Sequence, residues 1–172
     1  MRKILAALAA AALAAVALSR PADATSQRFS GGAESKQALV RAFLDALERN
    51  DAKALHALRV DEQEYLGIIL PGSVPPGQPL RKWPADSSRY FWSELDAKCL
   101  YLEEDLLQKW RGHKWTVKEM TFERGQQDYA SYRAWKQTRL TLVGEDGKEA
   151  KLETGSIAEV GGRYKFISYK RD

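Results

Sequence analysis

The hydrophobic pattern of this 172-residue chain changes its period once, at Gly112, and that change limits the possible fold more than any other feature. Before Gly112 the apolar residues recur at the spacing of amphipathic helices, whereas after it they follow the alternation of strands. Helices followed by strands are typical of α+β domains with an antiparallel sheet. We therefore predict an α+β fold in which N-terminal helices pack in the concavity of a curved, four-stranded antiparallel sheet.

Three helical pieces are predicted before any strand. The first begins at Ser35, and Asn50-Asp51 ends it and caps a short second helix. The third begins at Asp61, because Asp61 and Glu64 have the spacing of a capping box, and it ends at Pro71-Gly72. The apolar stripe of the first helix has the spacing i, i+3, i+4, i+7 and consists of Val40, Phe43, Leu44 and Leu47.

A proline-rich loop separates these pieces from a longer helix. The segment Pro71–Asp86 holds every proline beyond Pro21, so it is neither helix interior nor central strand, and it is either a binding loop or a passive connector. The helix that follows is predicted from Ser88 to Arg111, with a cap in Asp86–Ser88. Its first turn, Arg89–Trp92, is too aromatic to be all core, so part of it packs beneath the loop or lines a pocket. The predicted buried stripe is Phe91, Leu95, Cys99, Leu102 and Leu106.

Four strands are predicted after Gly112, over residues 114–123, 134–143, 149–160 and 163–170. Gly161-Gly162 is a strong hairpin signal between the last two. Strict alternation in the second strand places Trp135 with Arg139 on one face and Thr138 with Leu140 on the other. Neither face is cleanly apolar, which is consistent with a partly polar interior. Alternation in the third strand groups Leu152, Thr154, Ser156, Ala158 and Val160.

The N-terminus has the features of a cleavable export signal. Met1-Arg2-Lys3 precedes an uncharged run from Ile4 to Leu18, which is shorter than the ~20 residues that span a bilayer. Small residues at Ala22 and Ala24 predict cleavage after Ala24. We therefore expect a periplasmic or secreted bacterial protein without a stable membrane anchor, and a retained anchor is the alternative. The domain organisation is then a signal peptide over 1–24, a flexible lead-in over 25–34 and one α+β domain over 35–172.

Charge and cysteine content exclude several classes of function. The predicted leader carries three basic residues and one acidic residue, so the net charge of +4 falls to +2 once it is removed. This value, together with export, argues against nucleic acid as a partner. The single cysteine, Cys99, forms no internal disulfide, lies too far from the cleavage site for a lipid anchor, and is read as a buried apolar residue rather than a nucleophile.

Two segments resemble a known family. The run ALVRAFLDALERNDAKALHAL, a helix, then Asn-Asp, then a shorter helix, resembles the nuclear transport factor 2-like superfamily, also called SnoaL-like or cystatin-like. The closing GGRYKFISY resembles the last hairpin of that family. The resemblance covers about residues 36–169 and implies a cone, in which a curved sheet wraps the helices and leaves a pocket at its open end. The long helix after the proline-rich loop departs from the family pattern.

Catalytic and metal-binding motifs are absent from the sequence. No H-E-x-x-H, paired cysteines, G-x-S-x-G or phosphate loop occurs, so we predict neither a metal nor a cofactor. His56 and His113 are read as surface or capping residues. Some enzymes of the resembled superfamily pair a carboxylate base with a tyrosine, for which Glu119 or Glu153 with Tyr65 or Tyr101 are the candidates. None of them matches a family motif, and strand carboxylates more often face solvent.

Three hypotheses of function follow. The first is non-catalytic binding of a small molecule or a protein partner in the cone, with Tyr65, Trp92 and Arg139 as pocket residues and Arg139 selecting an anionic ligand. The second is an isomerase, dehydratase or hydrolase that uses a carboxylate in the same pocket. The third is a structural role in which the sheet pairs two copies into a homodimer.

Overall fold

The computed structural model describes residues 27–170 and has the predicted α+β class. The predicted signal peptide and its cleavage site lie outside the described residues. A π-helical turn, Tyr65–Ile69, connects two short helices. Among residues 27–170, no helix combines the length and the apolar character needed to cross a bilayer. The helices are α1 (Lys36–Glu48), α2 (Ala52–Ala57), α3 (Glu62–Glu64), α4 (Leu70–Gly72) and α5 (Ala85–Trp110).

Local capping starts the first three helices where the sequence predicts. The Ser35 side chain accepts a hydrogen bond from the Ala38 amide (3.0 Å) at the start of α1, and Asp51 caps α2 in the same way. Asp61 and Glu64 form a complete capping box, in which each side chain accepts a hydrogen bond from the backbone amide of the other. These predictions are confirmed.

Helix α5 begins earlier than predicted and buries only the C-terminal part of the predicted stripe. It starts at Ala85, after Pro84, and no side chain caps it; Ser88 donates instead to the Pro84 carbonyl. Cys99, Leu102 and Leu106 are buried as predicted, but Phe91 is 37% exposed. The buried positions of α5 lie in its C-terminal half, which packs with α1 and α2 in the first core, so continuing the buried stripe to Phe91 was wrong.

The sheet contains five antiparallel strands rather than the predicted four. Its order is β1-β3-β4-β5, and the short β2, which the sequence analysis missed, pairs with the start of β3. The segment Leu58–Val60 pairs in parallel with β5 through an isolated bridge at Arg59 and Phe166. The strands are β1 (Trp115–Phe122), β2 (Gln126–Asp128), β3 (Arg133–Gly144), β4 (Glu149–Val160) and β5 (Arg163–Ser168).

Bulges keep one face of the sheet toward the helices. The strand pairing shifts register next to Lys118 in β1, between Trp135 and Arg139 in β3, and around Gly155 in β4. Residues five apart lie on opposite faces of a regular strand, but an inserted residue returns them to the same face. The pairs that share the helix-facing core in this way are Trp115 with Met120, Trp135 with Leu140 and Leu152 with Ile157.

The predicted alternation of the second and third strands is therefore wrong. Trp135 shares its face with Leu140 and Leu142, not with Arg139. In β4, Leu152 belongs to the core that contacts α1 and α5, whereas Ala158 belongs to a second core on the other face. Strict alternation failed because the bulges depend on pairing with neighbouring strands, which a single strand sequence does not reveal.

Two hydrophobic cores lie on opposite faces of the sheet. The first joins α1, α2 and α5 to β3, β4 and β5, and in it the rings of Phe43, Phe166 and Tyr169 contact one another with centroids 5.3–5.7 Å apart. The second covers the start of β3 and the end of β4. Its buried residues are Phe29, Val60, Ile68, Ile69, Tyr132, Ala134, Ala158 and Val160.

The described part of the predicted lead-in is packed against the sheet. Phe29 is 2% exposed, and Ala33 exchanges backbone hydrogen bonds with Tyr164 of β5. A buried ion pair joins this region to the sheet: Lys165 Nζ lies 2.8 Å from Glu64 Oε2, and Glu64 also accepts from the Ser30 amide. From Gln27 onward this segment is therefore part of the domain, not a free lead-in.

The bend at Gly155 supplies the first prediction. Gly155 has φ +90°, and a Cβ added there would lie 2.1 Å from the Ser168 carbonyl oxygen. Gly155→Ala should lower the free energy of unfolding by about 3 kcal/mol or more, because left-handed strain and a backbone clash act together. Gly147→Ala is the matched control, with φ +77° and open space around it, and should cost about 1 kcal/mol. If urea unfolding shows that both variants lose the same free energy of unfolding, the close approach of Gly155 to the Ser168 carbonyl has no effect on stability.

Candidate functional site

A groove of about 410 Å³ lies between α1 and the edge strand β1. One wall is the side of α1 that carries Val40 and Leu44, which also belong to the first core, and the other is the beginning of β1. Its volume is within the range of small-ligand sites, which is about 300–1,000 Å³. The lining residues are Gln37, Val40, Arg41, Leu44, Asp45, Trp115, Thr116, Val117 and Met120.

The bulge in β1 determines which side chains reach this groove. Val117 pairs with Leu142 and Glu119 with Thr141, so Lys118 is the inserted residue. Without the insertion, alternation from Val117 would turn Glu119 toward α1. With it, Met120 lines the groove and Glu119 is exposed. The wall formed by β1 is therefore largely apolar.

Polar groups of the groove come mainly from α1. Gln37, Arg41 and Asp45 follow one another at four-residue spacing, so they lie along one side of the helix. Arg41 and Asp45 are exposed, and within residues 27–170 neither forms an ion pair. The rim thus offers one cation, one anion and one amide above apolar walls.

The three predicted pocket residues lie elsewhere. Tyr65 and Trp92 are brought together, with ring centroids 5.6 Å apart, where the π-helical turn contacts α5. Burial raises the pKa of the Tyr65 hydroxyl, so it stays protonated near neutral pH. Neither ring lines the groove between α1 and β1.

Arg139 lies on the sheet face opposite Leu140. It forms ion pairs with Glu123 and Glu153, and Glu153 also pairs with Lys170. Its guanidinium is therefore engaged by protein carboxylates and does not line the groove.

The predicted catalytic carboxylates, Glu119 and Glu153, lie on β1 and β4. Glu119 is exposed on β1, and Tyr101 is 56% exposed on α5. Hydrogen bonds from Lys170 and Arg139 hold the pKa of Glu153 below its ordinary value, which makes it a weaker base. The Glu153 carboxylate accepts hydrogen bonds from Arg139 and Lys170.

A buried charge network between α2 and α5 was missed by the sequence analysis. The Arg59 side chain is 1% exposed; its Nε donates to Glu103 Oε1 at 2.6 Å and its Nη2 to Asp96 Oδ1 at 2.7 Å. His56 Nδ1 lies 3.2 Å from Glu103 Oε2 at the exposed end of the network. The sequence did contain a signal for this network. Asp96 and Glu103 are three residues before and four residues after Cys99, so both lie on the same face of the helix as that buried residue.

Arg59 occupies both carboxylates of this network, and Cys99 beside it is fully buried. Burial raises the pKa of the Cys99 thiol, so the reactive thiolate is disfavoured. No cluster of three or more His, Cys, Asp or Glu residues within 27–170 is arranged to hold a metal ion.

Comparison of the chain with protein-family models, with curated proteins and with solved structures finds no match. The resemblance of its first helices and last hairpin to the nuclear transport factor 2-like superfamily therefore remains a prediction.

The buried network generates a second prediction. Glu103→Gln should lower the free energy of unfolding by about 3–5 kcal/mol, because it removes one charge from a buried ion pair and leaves Arg59 undercompensated. The neighbouring Glu104 is exposed, so Glu104→Gln should change that free energy by less than about 0.5 kcal/mol. Urea unfolding of both variants measures the difference, and similar losses would contradict a structural role specific to Glu103.

Proposed function

We propose that this protein is an exported, nuclear transport factor 2-like domain that binds an amphipathic small molecule, without catalysis, in the groove between α1 and β1. The cone architecture of that superfamily is part of the proposal. The helix-first order, the bulged antiparallel sheet against which α1 packs and the Gly161-Gly162 hairpin that leads into β5 support it.

The groove itself is the observation that carries the proposal. Val40, Leu44, Val117 and Met120 offer apolar walls, which favour a ligand with a substantial hydrophobic part. Arg41 at the rim would pair with an anionic group on that ligand, and Gln37 would accept or donate a hydrogen bond. An amphipathic anion therefore matches the groove better than a wholly polar metabolite.

Binding without catalysis is favoured by what the groove contains. Its single carboxylate, Asp45, is exposed on α1, and no tyrosine or histidine belongs to the described lining. General acid–base catalysis needs a carboxylate within hydrogen-bond reach of a partner group and of the substrate, usually with a pKa tuned by its surroundings. The groove supplies no such pair among its described side chains.

The probe 8-anilinonaphthalene-1-sulfonate tests this site, because it joins apolar rings to one anionic group. We expect saturable fluorescence enhancement with the native protein. Val117→Trp should abolish it, since Val117 lines the groove and is 38% exposed, so the larger ring fills the space without entering the core. Arg41→Gln should weaken binding about fivefold, the effect of a partly exposed ion pair.

Thr121→Trp is the matched control for this titration. Thr121 is exposed on the same strand and does not line the groove, so its variant should bind the probe as the native protein does. Loss of binding in both tryptophan variants, or in neither, would remove the groove as the site. Circular dichroism of each variant checks that the fold is retained.

Export is tested separately. After expression in a bacterium, the protein recovered outside the cytoplasm should begin at Thr25, as read by mass spectrometry. Replacing Ala22 and Ala24 by Phe should block cleavage, because signal peptidase requires small side chains there. A full-length chain that stays in the cytoplasm would contradict the export proposal.

A further inference from the structure

Three exposed apolar side chains and the half-buried Trp83 form a patch where the proline-rich loop meets the start of α5. Leu80, Tyr90 and Phe91 are 44%, 60% and 37% exposed. Phe91 contacts Trp83 edge to face at 5.2 Å and Tyr90 at 6.0 Å between ring centroids. Because the described chain leaves Leu80, Tyr90 and Phe91 exposed, the patch is available to something outside the domain.

The loop that presents this patch is held in place. The Arg81 amide donates to the Pro71 carbonyl at 2.9 Å, and the Arg81 guanidinium lies 5.3 Å from the Trp83 ring. At the other end, Ser88 Oγ donates to the Pro84 carbonyl at 3.0 Å. The aromatic rings are therefore preorganised as a surface.

Basic residues flank the patch along the chain. Arg81, Lys82 and Arg89 are exposed, and none of them forms an ion pair within residues 27–170. Asp86 is the one acidic residue from Leu80 to Trp92. The sign reverses immediately afterwards, since residues 93–105 contain five acidic residues, Glu94, Asp96, Glu103, Glu104 and Asp105, and one basic residue, Lys98. The positive charge is thus confined to the aromatic end of α5.

We propose that this aromatic–basic patch (Leu80, Trp83, Tyr90 and Phe91 with Arg81, Lys82 and Arg89) docks on the surface of an anionic lipid bilayer. Tyrosine and tryptophan rings favour the boundary between headgroups and acyl chains, and basic side chains beside them are attracted to anionic headgroups. The patch would insert its rings shallowly while the rest of the domain stays in water. This binding is reversible and independent of the small-molecule groove.

Size and charge favour a bilayer over a protein partner. A stable protein interface buries about 800 Å² on each side, which exceeds what four partly exposed side chains offer. If two copies of this chain docked patch to patch, the three basic side chains of one copy would face the three basic side chains of the other, which is unfavourable. Shallow insertion into an anionic surface requires neither a large area nor a complementary fold.

A fluorophore at single positions of the full chain tests the docking. Cys99 is fully buried, so bimane on Tyr90→Cys and on Tyr101→Cys reports one site in each protein. Tyr101 is the matched control, because it is on the same helix and 56% exposed but lies beside the acidic stretch. The vesicles contain brominated phosphatidylcholine and phosphatidylglycerol in equal parts, and bromine quenches only a fluorophore that reaches the acyl chains.

We expect about twofold quenching at position 90 and none at position 101, and we expect the quenching at 90 to vanish at high salt. In the R81Q/K82Q/R89Q background, the lipid concentration for half-maximal quenching at 90 should rise about a hundredfold, since each basic residue near an anionic surface contributes roughly fivefold. All these proteins contain residues 4–18, so any affinity of that apolar run for lipid is the same in each of them. It therefore cannot produce a difference in quenching between positions 90 and 101.

Several outcomes would overturn the proposal. Absence of quenching at 90, equal quenching at 90 and 101, or unchanged quenching on vesicles of brominated phosphatidylcholine alone would each exclude docking of this patch on anionic lipid. If vesicles give no quenching but heparin or an oligonucleotide changes bimane fluorescence at 90 saturably, the patch binds an anionic polymer instead. These results leave the groove proposal untouched, because Val117 and Arg41 are not in the patch.

Discussion

The bulges in β1, β3 and β4 are the constraint on which the rest of this structure depends. Each lets apolar residues five positions apart face the same core, so one side of the sheet stays apolar where regular pleating would turn charged residues inward. The bulge of β4 requires Gly155, because only a residue without a Cβ accepts its φ of +90° so close to Ser168. Removing the bulges would place Arg139 and Glu153 in the first core.

The same constraint produces the groove that we propose as a binding site. The inserted Lys118 turns Met120 toward α1 and Glu119 toward solvent, so the site acquires an apolar wall and loses a carboxylate. That exchange bears directly on function, because Glu119 was one of the carboxylates on which an enzymatic interpretation relied. A single inserted residue therefore separates a surface suited to binding from one that could carry acid–base chemistry.

Two buried ion pairs attach the short helices to the larger elements. Arg59 and Glu103 join α2 to α5, and Glu64 and Lys165 join the π-helical region to β5. Neither region has the length to fold alone, since α2 has six residues and α3 has three. A buried ion pair contributes little net stability but tolerates few other arrangements, because an unpaired buried charge is costly. We infer that these pairs select the docking geometry of the short helices.

The order and class of the secondary structure could be predicted from sequence because their causes are local. Ser35, Asp51 and the pair Asp61 and Glu64 act on amides within three residues of themselves, so the starts of α1, α2 and α3 were readable. The spans of the four long strands followed similarly from their composition and turns. The pocket residues were not predictable in this way: Tyr65 and Trp92 do meet, but Arg139 faces carboxylates on the other side of the sheet.

Only the tertiary structure decided which face of each strand points to the first core and where along α5 its burial ends. Both depend on elements distant in the chain: the bulges arise from pairing between strands, and α5 is buried only where it packs with α1 and α2. By itself, then, the sequence determined the first helices, the four long strands and their order, through interactions that span a few residues. The groove and the charge network were decided by contacts between residues tens of positions apart.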